Sequence, residues 1–239
     1  VGEFNKVGEF NKNYIAKYKS DGRLDPDFES VEGANGIIYD VLIEADGKIV
    51  IAGDFTRINY VKRNRIARLH PDGTVDMSFD PGDGFDSTVY TIVQDVDPMR
   101  NMYNEYGGPG GPIDNPDYLK IYAGGLFHEF DEVRRYGLAR LDTNGQLDTT
   151  FMDNSYNQFA GIPRSAAQDQ RNFIKSISLN RDKDLFISGS FSQVGGGYSN
   201  SEKSPQNNIT RIVGSRYGYF PSAQLATLTG TDFVASNVT

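Results

Sequence analysis

The chain has 239 residues, a formal net charge of −8 and a sequence pI near 4.8. This acidic balance argues against a nucleic-acid-binding surface, which would be basic. The chain contains no cysteine, which excludes disulfides and thiol catalysis, and no apolar run approaches the length that spans a bilayer.

A repeated sequence pattern dominates the chain and occurs four times. Each repeat is anchored by a Gly-x-Phe triplet, and the triplets begin at Gly2, Gly53, Gly125 and Gly189. Apolar residues alternate before the triplet, as in residues 49–53, and this alternation predicts a β-strand. A glycine at one fixed position of a strand indicates close approach of another backbone segment, a bend or a bulge.

A second motif follows the triplet in every repeat and contains a basic residue: Lys17, Arg68, Arg140 and Arg211. In the first three repeats an Asp-Gly or Asn-Gly turn comes next, followed by an acidic residue: Asp25, Asp76 and Asp148. Such turns between apolar runs predict hairpins. With a further strand before the triplet, each repeat holds about four short antiparallel strands, the unit of a β-propeller blade.

The combined pattern Asp-Gly-Lys-Ile-x-Ile-x-Gly-x-Phe and Ile-Ala-Arg-Leu-x-x-Asp-Gly-x-x-Asp-x-x-Phe resembles the delta-60 repeat, over about residues 2–213. The resemblance implies a β-propeller-like fold and a secreted or surface location in bacteria, and it implies no single activity. We assign a structural role to the positions that recur: Gly53, Phe55, Arg68, Asp76, Gly125, Phe127, Arg140, Asp148, Gly189, Phe191 and Arg211.

We therefore predict an all-β, β-propeller-like array of four-stranded antiparallel blades over residues 1–214. The approximate blades are 1–30, 31–85, 86–154 and 155–214, and residues 215–239 form a C-terminal tail or the start of another element. Repeat 1 begins inside a blade and a propeller has typically four to eight blades, so we expect a part of a larger propeller. The alternative is a small propeller that closes by pairing between the ends of the chain.

The hexamer Val-Gly-Glu-Phe-Asn-Lys occurs twice in succession over residues 1–12. Only its first occurrence keeps the spacing of the triplet to the second motif. The second occurrence lies where the other repeats are predicted to have a loop. We interpret it as a local duplication or an error in the recorded sequence.

The recurring basic and acidic residues have two interpretations. They form either a ring of charges around an anion-binding channel or one ion pair inside each blade that ties two strands together. We favour the ion pair, because a catalytic site rarely needs an identical group in every blade.

Asp80, Asp83 and Asp86 lie on a Gly-rich turn, and carboxylate oxygens suit calcium. The spacing lacks the full EF-hand pattern and its glutamate, so we favour a plain solvated turn and expect no cofactor, with calcium as the alternative. His70 and His128 occupy different positions of the repeat and do not support a two-histidine metal site.

Two insertions interrupt the repeats and are candidate binding loops, because long loops in compact domains are often functional. The first spans residues 95–117 and contains Tyr103 and Tyr106, and the second spans residues 195–208 and contains Tyr198. Exposed tyrosines stack on sugars or peptides. Variable decoration, or contact with a neighbouring domain, is the alternative.

These features favour a non-catalytic binding or scaffold domain of a bacterial surface or secreted protein, which contacts a glycan, peptide or partner protein through inter-blade loops. The family's usual setting implies a lipoprotein accessory to an outer-membrane nutrient-uptake complex. We expect an extracellular or outer-membrane location, no nucleic-acid partner, and any membrane anchor upstream of residue 1.

Two alternatives stay open. The first is a propeller enzyme, a glycoside hydrolase or lyase with its site at the channel mouth, which predicts that acids, His or Tyr converge and break the symmetry of the repeats. No catalytic motif is recognisable in the sequence. The second is a structural spacer in an adhesin.

Overall fold

The computed structural model describes residues 1–29, 32–96, 119–151, 162, 172–180, 184–194, 204–205, 207–212 and 225–226. In these ranges every regular element is a β-strand and no helix occurs. The strands are β1 (Lys6–Val7), β2 (Phe10–Asn11), β3 (Ile38–Ile43), β4 (Ile49–Gly53), β5 (Arg57–Ile58), β6 (Val61–Lys62), β7 (Ile66–Leu69), β8 (Val89–Gln94), β9 (Ile121–Gly125), β10 (Glu129–Phe130), β11 (Val133–Arg134), β12 (Leu138–Leu141), β13 (Phe173–Leu179), β14 (Leu185–Ser190), β15 (Gln193–Val194), β16 (Ser204–Pro205), β17 (Ile209–Ile212) and β18 (Leu225–Ala226).

Each of repeats 2 to 4 builds one antiparallel sheet whose strands lie in the order in which they occur in the sequence. The sheet orders are β3-β4-β7, β8-β9-β12 and β13-β14-β17-β18. We call their members the first, second, third and fourth strands of a repeat. The predicted all-β, propeller-like architecture is confirmed.

The fourth strand is short wherever the structure describes it. In repeats 2 and 3 it is reduced to a single bridge, between Leu69 and Val75 and between Leu141 and Leu147. In repeat 4 the outer position is taken by β18, which pairs with β17. The predicted blade boundary at residue 214 stays a prediction, and β18 lies beyond it in the sequence.

A small hairpin follows the Gly-x-Phe triplet of every repeat: β1–β2, β5–β6, β10–β11 and β15–β16. In repeats 1 to 3 it begins at the fourth residue after the triplet glycine, at Lys6, Arg57 and Glu129. The second hexamer therefore occupies this hairpin in register with the other repeats. The prediction of a loop at this position was wrong, because residues 6–11 form a regular antiparallel hairpin. The second hexamer is therefore part of the ordinary repeat and not an insertion into it.

The apolar core consists of three clusters, two of which lie between successive sheets. Val50, Ala52 and Ile66 of repeat 2 pack with Val89 and Ile92 of repeat 3. Tyr122, Leu138 and Phe151 of repeat 3 pack in the same way with Ile174 and Ile177 of repeat 4. The second and third strands of one repeat thus cover the first strand of the next.

The triplet position requires a glycine, because the backbone of the first strand of the same repeat lies too close for a Cβ atom. A Cβ on Gly53 would lie 2.0 Å from the carbonyl oxygen of Ile37, and a Cβ on Gly189 would lie 2.0 Å from that of Phe173. A backbone oxygen cannot move aside as a flexible side chain can. The glycine therefore permits the close backbone approach that its position in the sequence indicates.

Candidate functional site

The first strand of each sheet carries a one-residue irregularity opposite the triplet glycine. Its register shifts between Ile38 and Asp40 in β3, between Val89 and Thr91 in β8, and between Ile174 and Ser176 in β13. The unpaired residues are Tyr39, Tyr90 and Lys175, which occupy the same repeat position. A β-bulge re-aims the side chain of the extra residue and often lies next to a functional site.

The side chains at these three bulges meet. The rings of Tyr39 and Tyr90 lie edge to face with their centroids 5.2 Å apart, and Phe173 continues the row at 5.7 Å from Tyr90. The Lys175 Nζ lies 4.2 Å from the Tyr90 ring centroid and 5.3 Å from that of Tyr39. We name this group the bulge cluster (Tyr39, Tyr90, Phe173 and Lys175).

The first strands are held side by side so that the bulges align. β3 contacts β8, and β8 contacts β13. The Oδ2 atom of Asp40, which directly follows the first bulge, accepts a hydrogen bond of 2.8 Å from the backbone N–H of Ile92 in the neighbouring sheet. The backbone beneath the bulge cluster is therefore held in place by a hydrogen bond between the sheets of repeats 2 and 3.

The bulge cluster combines aromatic rings with one cation in a partly open setting. Tyr39 and Lys175 are both exposed in part. Burial of its hydroxyl raises the pKa of Tyr39, and the nearby Tyr90, Asp54 and Glu3 raise it further. Among the described residues, no carboxylate lies within ion-pair distance of Lys175. Its ammonium therefore offers hydrogen-bond donors to a ligand that stacks on the rings.

The recurring basic and acidic residues pair inside the repeats. The Arg68 Nε lies 2.8 Å from the Asp76 Oδ2, and the Arg140 Nε lies 2.7 Å from the Asp148 Oδ2. The lysine just before the second strand adds a second cation to the same acid: Lys48 at 3.5 Å from Asp76 and Lys120 at 2.6 Å from Asp148. This is the ion pair within each blade that the sequence favoured over a charged ring.

The same basic residues also tie successive repeats together. Arg68 Nη1 donates a 2.7 Å hydrogen bond to the carbonyl of Thr143 in the turn of repeat 3, and Lys17 Nζ donates one of 3.0 Å to the carbonyl of Pro71 in the matching turn of repeat 2. Arg68 lies 5.0 Å over the ring of Phe79. The recurring charges therefore organise the scaffold.

In repeat 4 the acidic partner of the arginine lies at a different position of the repeat. It lacks the acidic residue after the turn, and Asp184 stands just before its second strand, where repeats 2 and 3 have Lys48 and Lys120. The Asp184 Oδ2 lies 4.0 Å from the Arg211 Nη1. Arg211 thus keeps an acidic neighbour, but this acid precedes the second strand instead of following the turn.

Asp80, Asp83 and Asp86 do not converge. The Asp83 carboxylate lies 2.7 Å from the Lys62 Nζ, and the Asp80 Oδ1 accepts a hydrogen bond from the N–H of Gly82. Within the described ranges, no group of three His, Cys, Asp or Glu side chains is arranged to hold a metal ion. The calcium alternative therefore gains no support and stays a prediction.

Asp86 holds the small hairpin of repeat 3 in place, as Asn35 does at the equivalent position of repeat 2. Its Oδ1 accepts hydrogen bonds from the N–H groups of His128 and Glu129, at 2.8 and 3.0 Å. Asn35 in repeat 2 does the same for the N–H groups of Thr56 and Arg57. Because a neutral amide serves equally well, this position holds the small hairpin and needs no negative charge.

The two histidines lie beside different acids. His70 Nε2 is 3.9 Å from the Asp76 Oδ1, and His128 Nδ1 is 3.5 Å from the Asp86 Oδ2. The three candidate tyrosines, Tyr103, Tyr106 and Tyr198, lie outside the described residues. Their binding role stays a prediction.

Sequence reasoning missed the bulge cluster, although a signal for it was present. Tyr39 and Tyr90 stand 51 positions apart, the spacing that separates Gly2 from Gly53. The bulge itself leaves no signal in the sequence, because the pattern of apolar residues in the first strand does not mark the extra residue. A repeat alignment that asks which exposed aromatic residues recur in phase would have found the two tyrosines, and not the lysine.

Comparison with known proteins supports the repeat architecture. Residues 1–28, 44–79 and 120–151 match the family described as "Domain of unknown function (DUF5122) beta-propeller". These stretches coincide with the triplet and the basic motif of repeats 1 to 3. The chain is therefore similar to a β-propeller repeat family, and the narrower delta-60 resemblance stays a prediction. No curated protein matches the chain.

Across the described ranges, the chain has no helix that is long and apolar enough to pass through a bilayer.

Proposed function

We propose that the chain is a non-catalytic binding domain whose propeller-like scaffold presents the bulge cluster to a glycan or a peptide. The observation that carries the proposal is the convergence of Tyr39, Tyr90 and Lys175 from three sheets. Partly exposed tyrosine rings supply flat apolar faces, and the ammonium between them supplies donors. Such a combination suits a sugar ring or peptide group with a nearby oxygen acceptor.

The break in repeat symmetry supports a ligand-binding role over a purely structural one. The triplet glycine, which has a structural role, is the same in every repeat. The bulges carry Tyr, Tyr and Lys instead, although the backbone around them is the same in all three sheets. A structural spacer in an adhesin gives no reason for a lysine at the third bulge.

The enzyme alternative has weaker support from the same residues. A tyrosine that acts as a general base near neutral pH needs a pKa lowered towards the working pH. Burial and the neighbouring acidic groups raise the pKa of Tyr39 instead. Tyr39 is therefore better suited to stacking and hydrogen bonding than to proton abstraction from a substrate.

We also propose a bacterial surface or secreted location, with a role beside an outer-membrane nutrient-uptake complex. The similarity to delta-60 repeats and the acidic composition support it. Fractionation of the native cells, followed by detection of the protein on intact cells after protease treatment, tests this location separately from ligand binding.

The binding proposal is tested by isothermal titration with neutral oligosaccharides, uronate-containing oligosaccharides and short peptides. We expect at least one class to bind saturably, and Tyr39→Ala and Lys175→Ala each to weaken that binding about tenfold, which corresponds to about 1.4 kcal/mol. Tyr60→Ala is the matched control, because Tyr60 is an exposed tyrosine at the tip of the β5–β6 hairpin.

Two results would contradict the proposal. Binding that survives both cluster variants would move the site to another surface. Chain cleavage of an oligosaccharide by the wild type, absent in Tyr39→Ala, would establish the enzyme instead.

A further inference from the structure

Met77 of repeat 2 is an exposed methionine that directly follows the recurring acidic residue Asp76. The residue is 63% exposed, so dissolved oxidants reach it. Its sulfur lies 3.8 Å from the Nη2 atom of Arg63, which directly follows strand β6 of the small hairpin. Neither side chain belongs to the bulge cluster, so the chemistry of this contact is independent of the proposed function.

Arg63 differs from the other basic residues of its hairpin because it has no acidic partner among the described residues. Arg57 lies 3.2 Å from a carboxylate oxygen of Glu32, and Lys62 lies 2.7 Å from one of Asp83. Within the described ranges, the one oxygen to which Arg63 donates is the carbonyl of Lys62, 3.0 Å from Nη1. The Nε atom of Arg63 is buried and has no hydrogen-bond partner there.

The sulfur of Met77 is a poor partner for this guanidinium. A thioether is a weak hydrogen-bond acceptor, and buried donors without a good acceptor cost free energy. Oxidation converts the thioether of methionine into a polar sulfoxide. The sulfoxide oxygen is a strong acceptor, so oxidation of Met77 supplies the kind of group that Arg63 lacks in the reduced protein.

Both sides of the contact are held by backbone hydrogen bonds. The backbone N–H of Arg63 donates to the carbonyl of Thr56 at 3.0 Å, on the opposite strand of the small hairpin. The N–H and the hydroxyl of Ser78, the residue after Met77, both donate to the Asp76 Oδ1, at 2.9 and 2.6 Å. A hydrogen bond between the two side chains therefore orders no loop and costs little backbone entropy.

The methionine is specific to repeat 2, whereas the basic residue recurs. The counterparts of Arg63 are Lys12 in repeat 1 and Arg135 in repeat 3, but those of Met77 are proline and threonine, at positions 26 and 149. A role in the scaffold that all repeats share therefore does not account for Met77.

We propose that Met77 is a reversible oxidation site and that Arg63 binds the sulfoxide oxygen, which ties the small hairpin of repeat 2 to the segment after Asp76. The oxidant is a peroxide. A sulfur lone pair attacks one peroxide oxygen, the O–O bond breaks, and the departing hydroxide takes the proton of the transferred oxygen and leaves as water. The sulfur loses two electrons and the peroxide gains them. Methionine sulfoxide reductases, one for each epimer, restore the thioether.

Oxidation at this site should stabilise the protein, whereas oxidation of a buried methionine disrupts the core. The test treats the full chain with hydrogen peroxide and follows Met77 by peptide mass mapping. We expect Met77 to gain one oxygen atom and the urea midpoint of the oxidised protein to rise by about 0.3 M, the shift expected for one added hydrogen bond.

Two variants assign this shift to the contact. Met77→Leu cannot form the sulfoxide, so its response to peroxide reports the other three methionines alone, Met99, Met102 and Met152. Arg63→Ala removes the donor, and oxidation of Met77 should then leave the midpoint unchanged or lower it. Arg23→Ala is the matched control, because it removes an arginine whose side chain is 86% exposed, and it should keep the full rise.

The epimers of the sulfoxide give a second readout, which does not depend on stability. Because only one epimer directs its oxygen towards Arg63, the two epimer-specific reductases should repair oxidised Met77 at unequal rates in the wild type and at similar rates in Arg63→Ala.

Three results would overturn the proposal. The first is that Met77 stays reduced in a peroxide solution that fully oxidises free methionine. The second is that the wild type shows no rise in midpoint beyond that of Met77→Leu, a comparison that does not require Arg63→Ala to fold. The third is that Arg63→Ala keeps the rise that the wild type shows.

Discussion

The ion pair of repeat 3 and its counterpart in repeat 1 come from the same sequence motif but differ in their surroundings. The side chains of Arg140 and Asp148 are 0% and 3% exposed, whereas that of Lys17 is 43% exposed beside Asp25 at 10%. Both basic residues lie over the final aromatic ring of their repeat, Phe151 at 4.8 Å and Phe28 at 5.8 Å. The motif thus fixes the geometry of the pair, and the neighbouring second strand determines its burial.

The second strand explains the difference. In repeat 3, Tyr122 of β9 lies beside Arg140 and its hydroxyl is 3.3 Å from Nη1, while Lys120 reaches Asp148 from the same strand. The side chain of Lys17 in repeat 1 is instead 43% exposed, so water reaches it. A repeated motif therefore contributes differently to stability from one repeat to the next, and its energetic weight depends on what packs against it.

Asp148→Asn should have the largest effect of the variants considered. It removes the negative charge that faces two cations, of which Arg140 is fully buried. Breaking one partner of a buried pair typically costs about 3–5 kcal/mol, because the other charge stays buried without compensation. Urea denaturation should show this loss as a lower midpoint with an unchanged slope.

Asp25→Asn is the matched variant in repeat 1 and should lower the urea midpoint much less, because the partners of Asp25, Lys17 and Lys19, are 43% and 44% exposed and water screens their charges. An equal loss of stability in the two variants would contradict the comparison. It would mean that the surroundings of the pair do not determine its contribution.

The apolar face of the first strand provides the second comparison. Ile92→Ala should destabilise the protein by about 2–4 kcal/mol, since it opens a cavity between two packed sheets. Val41→Ala changes the equivalent position of β3, where the side chain is 39% exposed, and should cost less than about 1 kcal/mol. The two free energies of unfolding, measured side by side in urea, test whether the side chain of Val41 is exposed in solution. Equal losses would show that Val41 is covered.

Much of the fold was predictable because the repeat places the same residues in phase. The triplet glycine, the alternation before it and the Asp-Gly turn each have a local physical reason, and they predicted strands β4, β9 and β14 with their hairpin partners. The small hairpin was missed, because Arg57 to Lys62 is mixed in polarity and lacks an Asn-Gly or Asp-Gly turn. Its turn uses Asn59 and Tyr60 with positive φ values of 46° and 68°.

The candidate site was less predictable for a different reason. The side chains of Tyr39, Tyr90 and Lys175 meet because three bulges align across sheets, and a bulge depends on tertiary backbone packing. Asp80, Asp83 and Asp86 are close in sequence but turn to separate partners. Proximity in sequence was therefore a poor guide to which side chains meet, whereas the two tyrosines that meet recur at one repeat position.

The pH dependence of stability gives the smallest expected effect and sharpens the first comparison. Burial alone would raise the pKa of Asp148, but hydrogen bonds from Lys120 and Thr150 and the positive charge of Arg140 outweigh it and lower the pKa from 3.8 to about 2. Because the folded-state pKa is depressed, the ionised carboxylate stabilises the fold above about pH 4. That contribution is lost as the pH falls towards 2.

Asp148→Asn cannot take up this proton, so it isolates the contribution from that of other acids. The difference in unfolding free energy between wild type and Asp148→Asn should be constant above about pH 5 and should narrow by roughly 1–2 kcal/mol between pH 4 and pH 2. Urea titrations of both proteins at half-unit pH steps measure it. A difference that stays constant down to pH 2 would mean that Lys120 and Arg140 do not hold Asp148 in its ionised form, and the buried network would then be no stronger than the exposed pair of repeat 1.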